Sequence, residues 1–237
     1  MVQYRADMLE SANTRPDVDG RATRWDAHKT RRRRQLLDAA VTAIETLGPT
    51  VGVKQIAEQA GVPRSVLYRH FADRADLDEQ ISQRIVDLLQ SQLAPTLRPR
   101  GTATEAIRRV VGTYLDWIEQ HPHLYTFLGA HGRTPAGGSR VVAGTKAALA
   151  AQVAELFATA TRTAGRDASF APTVASGLVG FVDATVNHWL ADKRRMISTE
   201  ELAEYLTRSI WSVLDGNARA LGIQIDPDRP ISDLLDD

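Results

Sequence analysis

The side chains of one short segment combine positive charge with hydrogen-bonding groups at helical spacing. Arg64, Ser65, Tyr68 and Arg69 fall within six residues. They share the outer side of a helix whose other side is apolar. Arginine suits guanine edges or phosphates, serine suits either, and tyrosine suits phosphates and thymine methyl groups. The segment therefore predicts a helix that reads base edges in the major groove of DNA.

A helix-turn-helix motif is the element that would position these side chains. Two short helices are predicted at residues 53–60 and 63–71, with Gly61 supplying the positive φ that the turn requires. Ala57 is small enough for two helices to cross closely, and Pro63 suits the first turn of a helix. The predicted core of the motif consists of Ile56, Val62, Val66 or Leu67, and Phe71. Spacing alone also allows an ordinary helical hairpin, with Gly61 as a simple cap.

The region around the motif is basic, although the whole chain has no net charge. Between residues 21 and 74, eleven lysines and arginines stand against five acidic residues, an excess of six positive charges. A phosphate-binding face requires such an excess, and the rest of the chain must then be acidic. We interpret the run Arg31–Arg34 as general phosphate attraction. A minor-groove contact and a solvated charge run are the alternatives.

The pattern along the rest of the chain predicts an all-α protein. Apolar residues recur at intervals of three and four, and β-branched alternation is scarce. Thr102 with Glu105, and Ser198 with Glu201, form capping boxes that mark two helix starts. We predict an N-terminal three-helix helix-turn-helix domain followed by a larger helical ligand-binding and dimerisation domain. The divisions are a flexible polar arm (1–24), the DNA-binding domain (25–73), the larger domain (74–225) and a C-terminal tail (226–237).

Three consecutive motifs between about residues 30 and 80 resemble a known family. The sequence reads Ile-Ala-Glu-Gln-Ala-Gly-Val from Ile56, Leu-Tyr-Arg-His-Phe from Leu67 and Asp-Arg-Ala-Asp-Leu from Asp73. With the preceding basic helix, these motifs resemble the N-terminal signature of the TetR family of bacterial regulators. The resemblance implies a dimeric, ligand-responsive transcriptional repressor. It also implies base contacts by Arg64, Ser65 and Arg69, and phosphate contacts by Lys54, Tyr68, His70 and Arg74.

Three positions qualify that resemblance. Gly52-Val53 stand where the family usually has a Ser or Thr that caps the helix and contacts phosphate. In this chain a phosphate contact at the start of the helix must come from Thr50 or from backbone amides, or be absent. Arg74 stands where the family usually has Lys, and arginine also neutralises phosphate. His70 is equally well interpreted as a packed residue at the end of a helix.

The larger domain carries the candidate residues for a ligand cavity. Its aromatic side chains are plausible walls for an apolar or aromatic effector, although core packing is the alternative for each. Asp183, Asn187 and His188 are polar groups in an otherwise apolar helix, so they need partners, which are each other, water, a neighbouring helix or a ligand. The candidate ligand-binding residues are Tyr114, Trp117, Tyr125, Phe127, Phe157, Phe181, Asp183, Asn187 and His188.

The last two helices are the candidates for a homodimer interface, because one recognition helix contacts only a few base pairs. The earlier of the two has a stripe of small residues, and the last has an apolar face; antiparallel pairing would give a four-helix interface, with intramolecular packing as the alternative. The small stripe is Thr173, Gly177, Gly180 and Ala184. The apolar face is Leu206, Ile210, Trp211 and Leu214.

Other classes of protein have weaker support in the sequence. The chain has no cysteine, which favours a reducing cytoplasm. We expect no signal peptide and no apolar window of membrane-spanning length. The stretch 138–146 lacks the Gly-Lys pair of a phosphate-binding loop, and His121, His123 and His131 lack the spacing of a metal site, so no cofactor or metal is predicted. A transcriptional activator, and a helical carrier or enzyme whose N-terminal domain does not bind DNA, are the alternative functions.

Overall fold

The computed structural model describes residues 20–98, 100–131, 140–192, 194 and 196–231, in which nine helices and no strand are found. The helices are α1 Gly20–Leu47, α2 Val53–Gln59, α3 Arg64–His70, α4 Arg74–Leu93, α5 Ala103–Gln120, α6 Pro122–His131, α7 Arg140–Thr163, α8 Ala171–Ala191 and α9 Thr199–Ala220. The predicted all-α fold is confirmed.

Helices α1 to α3 form a small unit, here called the head, around a closely packed core. The inner face of α1 packs against α2, and Phe71 at the end of α3 closes the core. Each of these side chains is almost fully removed from water, which is the main source of stability for so small a unit. The core side chains are Leu36, Ala40, Ile44, Val51, Ile56, Ala57, Leu67 and Phe71.

The turn between α2 and α3 depends on Gly61. Its φ is +63°, a left-handed conformation that glycine adopts without steric cost. The Gly61 amide donates to the Glu58 carbonyl, and the Val62 amide donates to the Ala57 carbonyl at 3.0 Å. This pair of hydrogen bonds is a Schellman motif, which satisfies the last carbonyls of α2 and turns the chain into α3.

Helices α4 to α9 form the larger unit, here called the body. α4 packs against α1 of the head and also against α5, α6 and α7 of the body, so one continuous helix joins the two units. α7 lies along α8, and α5 lies along α9. Both predicted capping boxes are present: Thr102 accepts from the Glu105 amide, and Ser198 accepts from the Glu201 amide.

Helix α1 begins five residues before the predicted boundary between the arm (1–24) and the DNA-binding domain (25–73). It starts at Gly20, and residues 20–24 contain Ala and Arg, which are good helix formers, and no proline. The predicted arm therefore overlaps the helix, and its first nineteen residues lie outside the described part of the chain.

The expectation of no apolar window long enough to span a membrane is also wrong. Val141–Thr163 is long and apolar enough by length and composition, with a mean hydropathy of 1.3. The cause is the alanine-rich composition of α7, together with the apolar side chains that it directs towards α8 and towards an internal cavity. One such helix is weak evidence for a membrane span.

Candidate DNA-binding surface and internal cavity

The outer face of α3 presents the four side chains that the sequence singles out. Arg64, Ser65, Tyr68 and Arg69 are all exposed, and Tyr68 is 53% exposed in spite of its aromatic ring. On the opposite side of the same helix, Leu67 is 1% exposed. A large apolar ring left in solvent, on a helix that is otherwise firmly packed, is typical of a contact surface.

Of the other predicted phosphate-binding residues, Lys54 has one long ion pair, whereas Arg74 is held by two hydrogen bonds. The Lys54 ammonium is well exposed, with a loose ion pair to Glu58 at 3.7 Å. Arg74, by contrast, donates to the Asp78 carboxylate at 2.7 Å and to the Val51 carbonyl at 3.1 Å. The Arg74 guanidinium therefore ties the start of α4 to the segment before α2, and a phosphate would have to compete with these bonds.

His70 lies half-buried at the end of α3. Its Nδ1 atom is buried and has no hydrogen-bond partner in the described part of the chain. Burial lowers the pKa of His70 below its ordinary value, and the positive charges of Arg69, Lys29, Arg32 and Arg33 lower it further. At neutral pH the imidazole is therefore uncharged, which favours the interpretation of a packed residue over that of a cationic phosphate ligand.

The basic run lies well inside α1, so it is not an extended arm. Arg31 and Arg34 are exposed, whereas Arg33 packs its guanidinium over the Phe71 ring at 5.0 Å. Arg33 also forms an ion pair with Asp76 at 3.8 Å. Arg33 thus joins α1 to α3 and α4, and the exposed arginines supply positive charge towards solvent.

The usual side-chain cap is absent from α2, as Gly52 predicts. The Gly52 amide instead donates to the Gln55 side-chain oxygen at 2.7 Å. This bond is only the reciprocal half of a capping box, since glycine has no side chain that could accept the Gln55 amide in return.

The body encloses a cavity of about 1300 Å³ whose walls come from all of α4 to α9. Most of the lining side chains are aliphatic, which suits an apolar ligand. Ile225 and Ile231 in the segment after α9 also line the cavity. This segment is held to the start of α5 because the Ile231 amide donates to the Gly101 carbonyl at 2.8 Å.

The structure brings six of the nine candidate ligand-binding residues to this cavity. Trp117 and Phe127 do not line it, because both are fully buried in the packed core. Phe181 is half-buried, and its ring lies 6.3 Å from that of Tyr205 on α9, away from the cavity wall. The six that line the cavity are Tyr114, Tyr125, Phe157, Asp183, Asn187 and His188.

Five of the cavity residues form a polar cluster. Lys146 on α7 pairs with Asp183 on α8 at 2.7 Å, and the Asn187 side chain donates to the Asp183 carbonyl. The hydroxyl groups of Tyr114 and Tyr125 are hydrogen-bonded to each other. Burial and the neighbouring Tyr125 raise the pKa of Tyr114 well above its ordinary value, so this phenol stays neutral.

Sequence reasoning did not select Lys146, although the signal was available. It is one of few charged residues in the apolar α7, and the same criterion had selected Asp183 in α8. In the sequence, Lys146 stands at the end of the stretch 138–146, a weak phosphate-loop pattern in which its ion-pair partner on α8 is not apparent.

A second contact between head and body was also missed. His121 follows the last residue of α5, His123 lies in the first turn of α6, and both contact Glu45 near the end of α1. The His121 Nδ1 atom is 2.6 Å from the Glu45 carboxylate, and the His123 Nδ1 atom is 2.8 Å from the Glu45 backbone carbonyl. Within the described ranges, no group of three or more potential ligands is placed to hold a metal ion.

The small-residue stripe of α8 is exposed, whereas the predicted apolar face of α9 is partly or fully buried. Gly177 and Gly180 have open space where a Cβ atom would stand. Leu206 is fully buried inside the chain, so its assignment to a dimer interface is wrong. Ile210, Trp211 and Leu214 are half-buried and line the cavity, and their place in an interface stays a prediction. The body takes up the apolar side of α9, which leaves Tyr205 and Val213 as its exposed large apolar residues. The stripe of Thr173, Gly177, Gly180 and Ala184 is exposed throughout, and Ala184 also borders the cavity.

Two family models match the chain. The model described as bacterial regulatory proteins, tetR family, matches residues 36–81, which cover the helix-turn-helix. The model described as tetracyclin repressor-like, C-terminal domain, matches residues 103–213, which cover most of the body.

Individual proteins agree with these matches. An uncharacterized HTH-type transcriptional regulator of Mycobacterium tuberculosis is 32% identical over 209 residues, covering 86% of each chain. The HTH-type transcriptional activator FasR of Mycolicibacterium smegmatis is 30% identical over 77% of this chain and 83% of its own. A tetR-family regulator from Streptomyces coelicolor superposes with a TM-score of 0.65 at 24% identity, covering 87% of this chain and 95% of the other.

Proposed function

The chain belongs to the TetR family of helix-turn-helix transcriptional regulators, and from this premise we propose that it binds a palindromic operator as a homodimer and is released by a small, mainly apolar effector. Its relatives are regulators, not enzymes. We assign residues 25–73 to DNA binding and residues 74–225 to effector binding and dimerisation, in a protein of the bacterial cytoplasm.

The outer face of α3 is the observation that carries the DNA-binding proposal. Arg64, Ser65 and Arg69 would contact base edges, and Tyr68 and Lys54 would contact phosphates. All five side chains are exposed, and they stand on a head whose core side chains are almost fully buried. A rigid support matters because base readout depends on holding several donors in a fixed geometry.

Replacing Arg69 tests the base contact. We expect Arg69→Ala to weaken binding to a palindromic fragment of the protein's own promoter by about 1–3 kcal/mol, and binding to random DNA by less. Fluorescence anisotropy at several salt concentrations measures both. The control is Arg162→Ala, which removes an exposed arginine from the last turn of α7 in the body. Equal losses on the two DNAs would show that Arg69 contacts only phosphate.

The cavity supports effector binding in the body, and α4 supports coupling to the head. α4 lines the cavity through Val86, Leu89 and Leu93, and its opposite end begins at Arg74 beside the helix-turn-helix. An effector that binds one arrangement of α4 better than the other shifts the population towards it. We propose that the favoured arrangement separates the two recognition helices by a distance that no longer matches successive major grooves.

The contact of Glu45 with the two histidines supports a second coupling route. α6 lines the cavity through Tyr125 and Leu128, and His121 and His123 precede or begin that helix. α4 contacts the same face of α1 at Asp38, seven residues before Glu45. There Arg84 of α4 donates to the Asp38 carboxylate at 2.7 Å. A shift of α6 relative to α4 would therefore change the orientation of α1.

The exposed stripe on α8 supports the homodimer. Gly177, Gly180 and Ala184 allow close approach of a second helix, and Tyr205 and Val213 are exposed apolar residues of the neighbouring α9. A large side chain on the stripe should prevent pairing without a clash inside one chain, because nothing lies within 4 Å of the Gly180 position. We expect Gly180→Trp to sediment as a monomer in analytical ultracentrifugation. A dimer of unchanged affinity would place the interface elsewhere.

Activation is the second candidate mode of regulation. It is favoured by one observation, that FasR, 30% identical to this chain, is a transcriptional activator. Mapping the operator by footprinting separates the two modes: a site overlapping the promoter supports repression, and a site upstream of it supports activation.

A further inference from the structure

The cavity is long in one direction. Its lining residues on α7 extend from Val142 to Ala160, a separation that corresponds to about 27 Å of helix. Along α5 they extend from Ala103 to Tyr114, about 16 Å of helix. An elongated cavity with aliphatic walls suits a chain of methylene groups better than a compact ring system.

The polar cluster lies at one end of this cavity. Tyr114 is the last residue of α5 to line the cavity, and Lys146 lies near the start of α7. Arg98, an exposed lining residue in the segment between α4 and α5, lies near Ala103 and so belongs to the other end. Between the two ends the walls are mostly aliphatic. A ligand that fills the cavity therefore has one polar end and an apolar remainder.

The two charges of the polar cluster neutralise each other. The Lys146 ammonium and the Asp183 carboxylate are 2.7 Å apart and link α7 to α8. An anionic ligand group at this end would have to displace Asp183 from Lys146, and a cationic group would have to displace Lys146 from Asp183. Either step breaks the 2.7 Å ion pair, and because the two side chains are 42% and 30% exposed, the lost pairing is a modest cost that a neutral ligand end does not incur.

The remaining polar groups of the cluster are uncharged hydrogen-bonding groups. Tyr114 and Tyr125 carry hydroxyl groups, and Asn187 carries an amide whose nitrogen already donates to the Asp183 carbonyl at 2.7 Å. These groups can exchange hydrogen bonds with a neutral ligand oxygen while the ion pair stays intact.

We propose that the effector is a long-chain amphiphile whose polar end at this cluster is uncharged, as in an alcohol, ester or amide. The proposal rests on the proposed function, in which the cavity is the effector site. Lys146 and Asp183 act as specificity-determining residues, because their mutual ion pair disfavours charged ends.

Three probes with the same tail test the inference: dodecanol, dodecanoate and dodecylammonium. Binding to the full-length protein is measured by equilibrium dialysis, below the micelle concentration of the two ions and below the solubility limit of dodecanol. We expect dodecanol to bind at least about tenfold more tightly than either ion, which corresponds to about 1.4 kcal/mol. Tightest binding by dodecanoate or by dodecylammonium overturns the inference while leaving the cavity as the effector site. Failure of all three to bind overturns the inference together with the effector part of the proposed function.

Two variants show whether the ion pair sets the preference. Asp183→Asn leaves Lys146 unpaired and should raise the affinity for dodecanoate about tenfold relative to dodecanol. Lys146→Met leaves Asp183 unpaired and should raise the affinity for dodecylammonium in the same way. The control is Glu155→Gln, which removes a charge from the exposed side of α7. Unchanged preferences in both folded variants would overturn the role of the pair, and the ranking on the unsubstituted protein does not depend on how the variants fold.

Discussion

The head and the body use buried apolar surface in opposite ways. In the head, Ile44 and Ile56 are 0% exposed and Phe71 is 2% exposed, so its core is filled by its own side chains. In the body, apolar side chains of six helices surround a cavity of about 1300 Å³. The candidate DNA-binding side chains of the head lie on the surface around a closely packed core. The candidate ligand-binding side chains of the body line a cavity inside it.

The difference in packing predicts that the head is more rigid than the body. A filled core gives a single rigid arrangement, which suits the presentation of fixed hydrogen-bonding groups to DNA. A cavity lacks packing contacts on one side of its lining residues, so its walls can adjust to a ligand at lower cost. We expect substitutions in the head to act through stability and geometry, and those in the body to act through ligand binding.

Removing one aromatic ring from each unit is the strongest test of this contrast. Phe71→Ala should lower the free energy of unfolding by about 3–5 kcal/mol, because it deletes a buried ring and its contact with Arg33. Phe157→Ala should cost much less, because the half-buried Phe157 ring lines the cavity. Urea denaturation followed by circular dichroism compares them. Similar losses for the two variants would show that the body is packed as tightly as the head.

The same contrast explains what could be predicted from the sequence. The head is built from local signals: Gly61 at a turn of φ +63°, Leu67 and Phe71 at helical spacing, and arginines on the opposite face. Local signals of this kind are visible in a single segment. The starts of α5 and α9 were predicted for the same reason, since capping boxes such as Thr102 with Glu105 are also local.

The cavity could be predicted only in part. Polar residues in an apolar helix, such as Asp183 and Asn187, did indicate its lining. Trp117 and Phe127 have the same residue types as true wall residues but lie in the packed core. Whether an aromatic ring faces a core or a cavity depends on how helices distant in sequence pack together. For the same reason the contact of Glu45 with His121, 76 residues away, could not be read from spacing.

Two cations near the helix-turn-helix, Arg74 at the start of α4 and Lys54 in α2, should separate structural from DNA-contacting roles. Arg74→Ala should lower the free energy of unfolding by about 1–2 kcal/mol, because it removes charged hydrogen bonds to Asp78 and to the Val51 carbonyl. Lys54→Ala should leave stability nearly unchanged and reduce the slope of DNA affinity against salt by about one. Denaturation and anisotropy titrations measure the two effects. A reduced salt slope for Arg74→Ala, with no loss of stability, would reverse the assignment.

The Glu45 contact links the two units, and its removal should weaken their coupling. Glu45→Ala should change DNA affinity little in the absence of effector, but should reduce the effect of dodecanol on DNA affinity by about 0.5–1 kcal/mol. Glu58→Ala, which removes an exposed glutamate of the head that contacts neither histidine, is the matched control. If Glu45→Ala retains the full response to dodecanol, coupling passes through α4 alone.

The smallest expected effect concerns pH, and it also differs between head and body. Burial and the nearby Arg69, Lys29 and Arg32 hold the pKa of His70 below the ordinary histidine value of 6.5 in the folded protein. At pH values between the lowered pKa of the folded protein and the ordinary value of the unfolded chain, the unfolded chain binds more protons at His70 than the folded chain does. The free energy of unfolding therefore decreases as the pH falls through this window, and His70 adds no further change once the pH is below the folded pKa.

Substitution of His70 should remove this contribution to the pH dependence. We expect His70→Gln to lose less stability than the unsubstituted protein between about pH 7.5 and about pH 5.5, a range in which histidine titrates. Tyr114→Phe is the control from the body, because the pKa of Tyr114 lies well above its ordinary value of 10.0 and the phenol stays protonated throughout this range. Urea denaturation at each pH measures the slopes. An unchanged slope in His70→Gln would mean that the acid sensitivity of the fold arises outside the recognition helix. The proposed difference in pH response between His70 in the head and Tyr114 in the body would then be wrong.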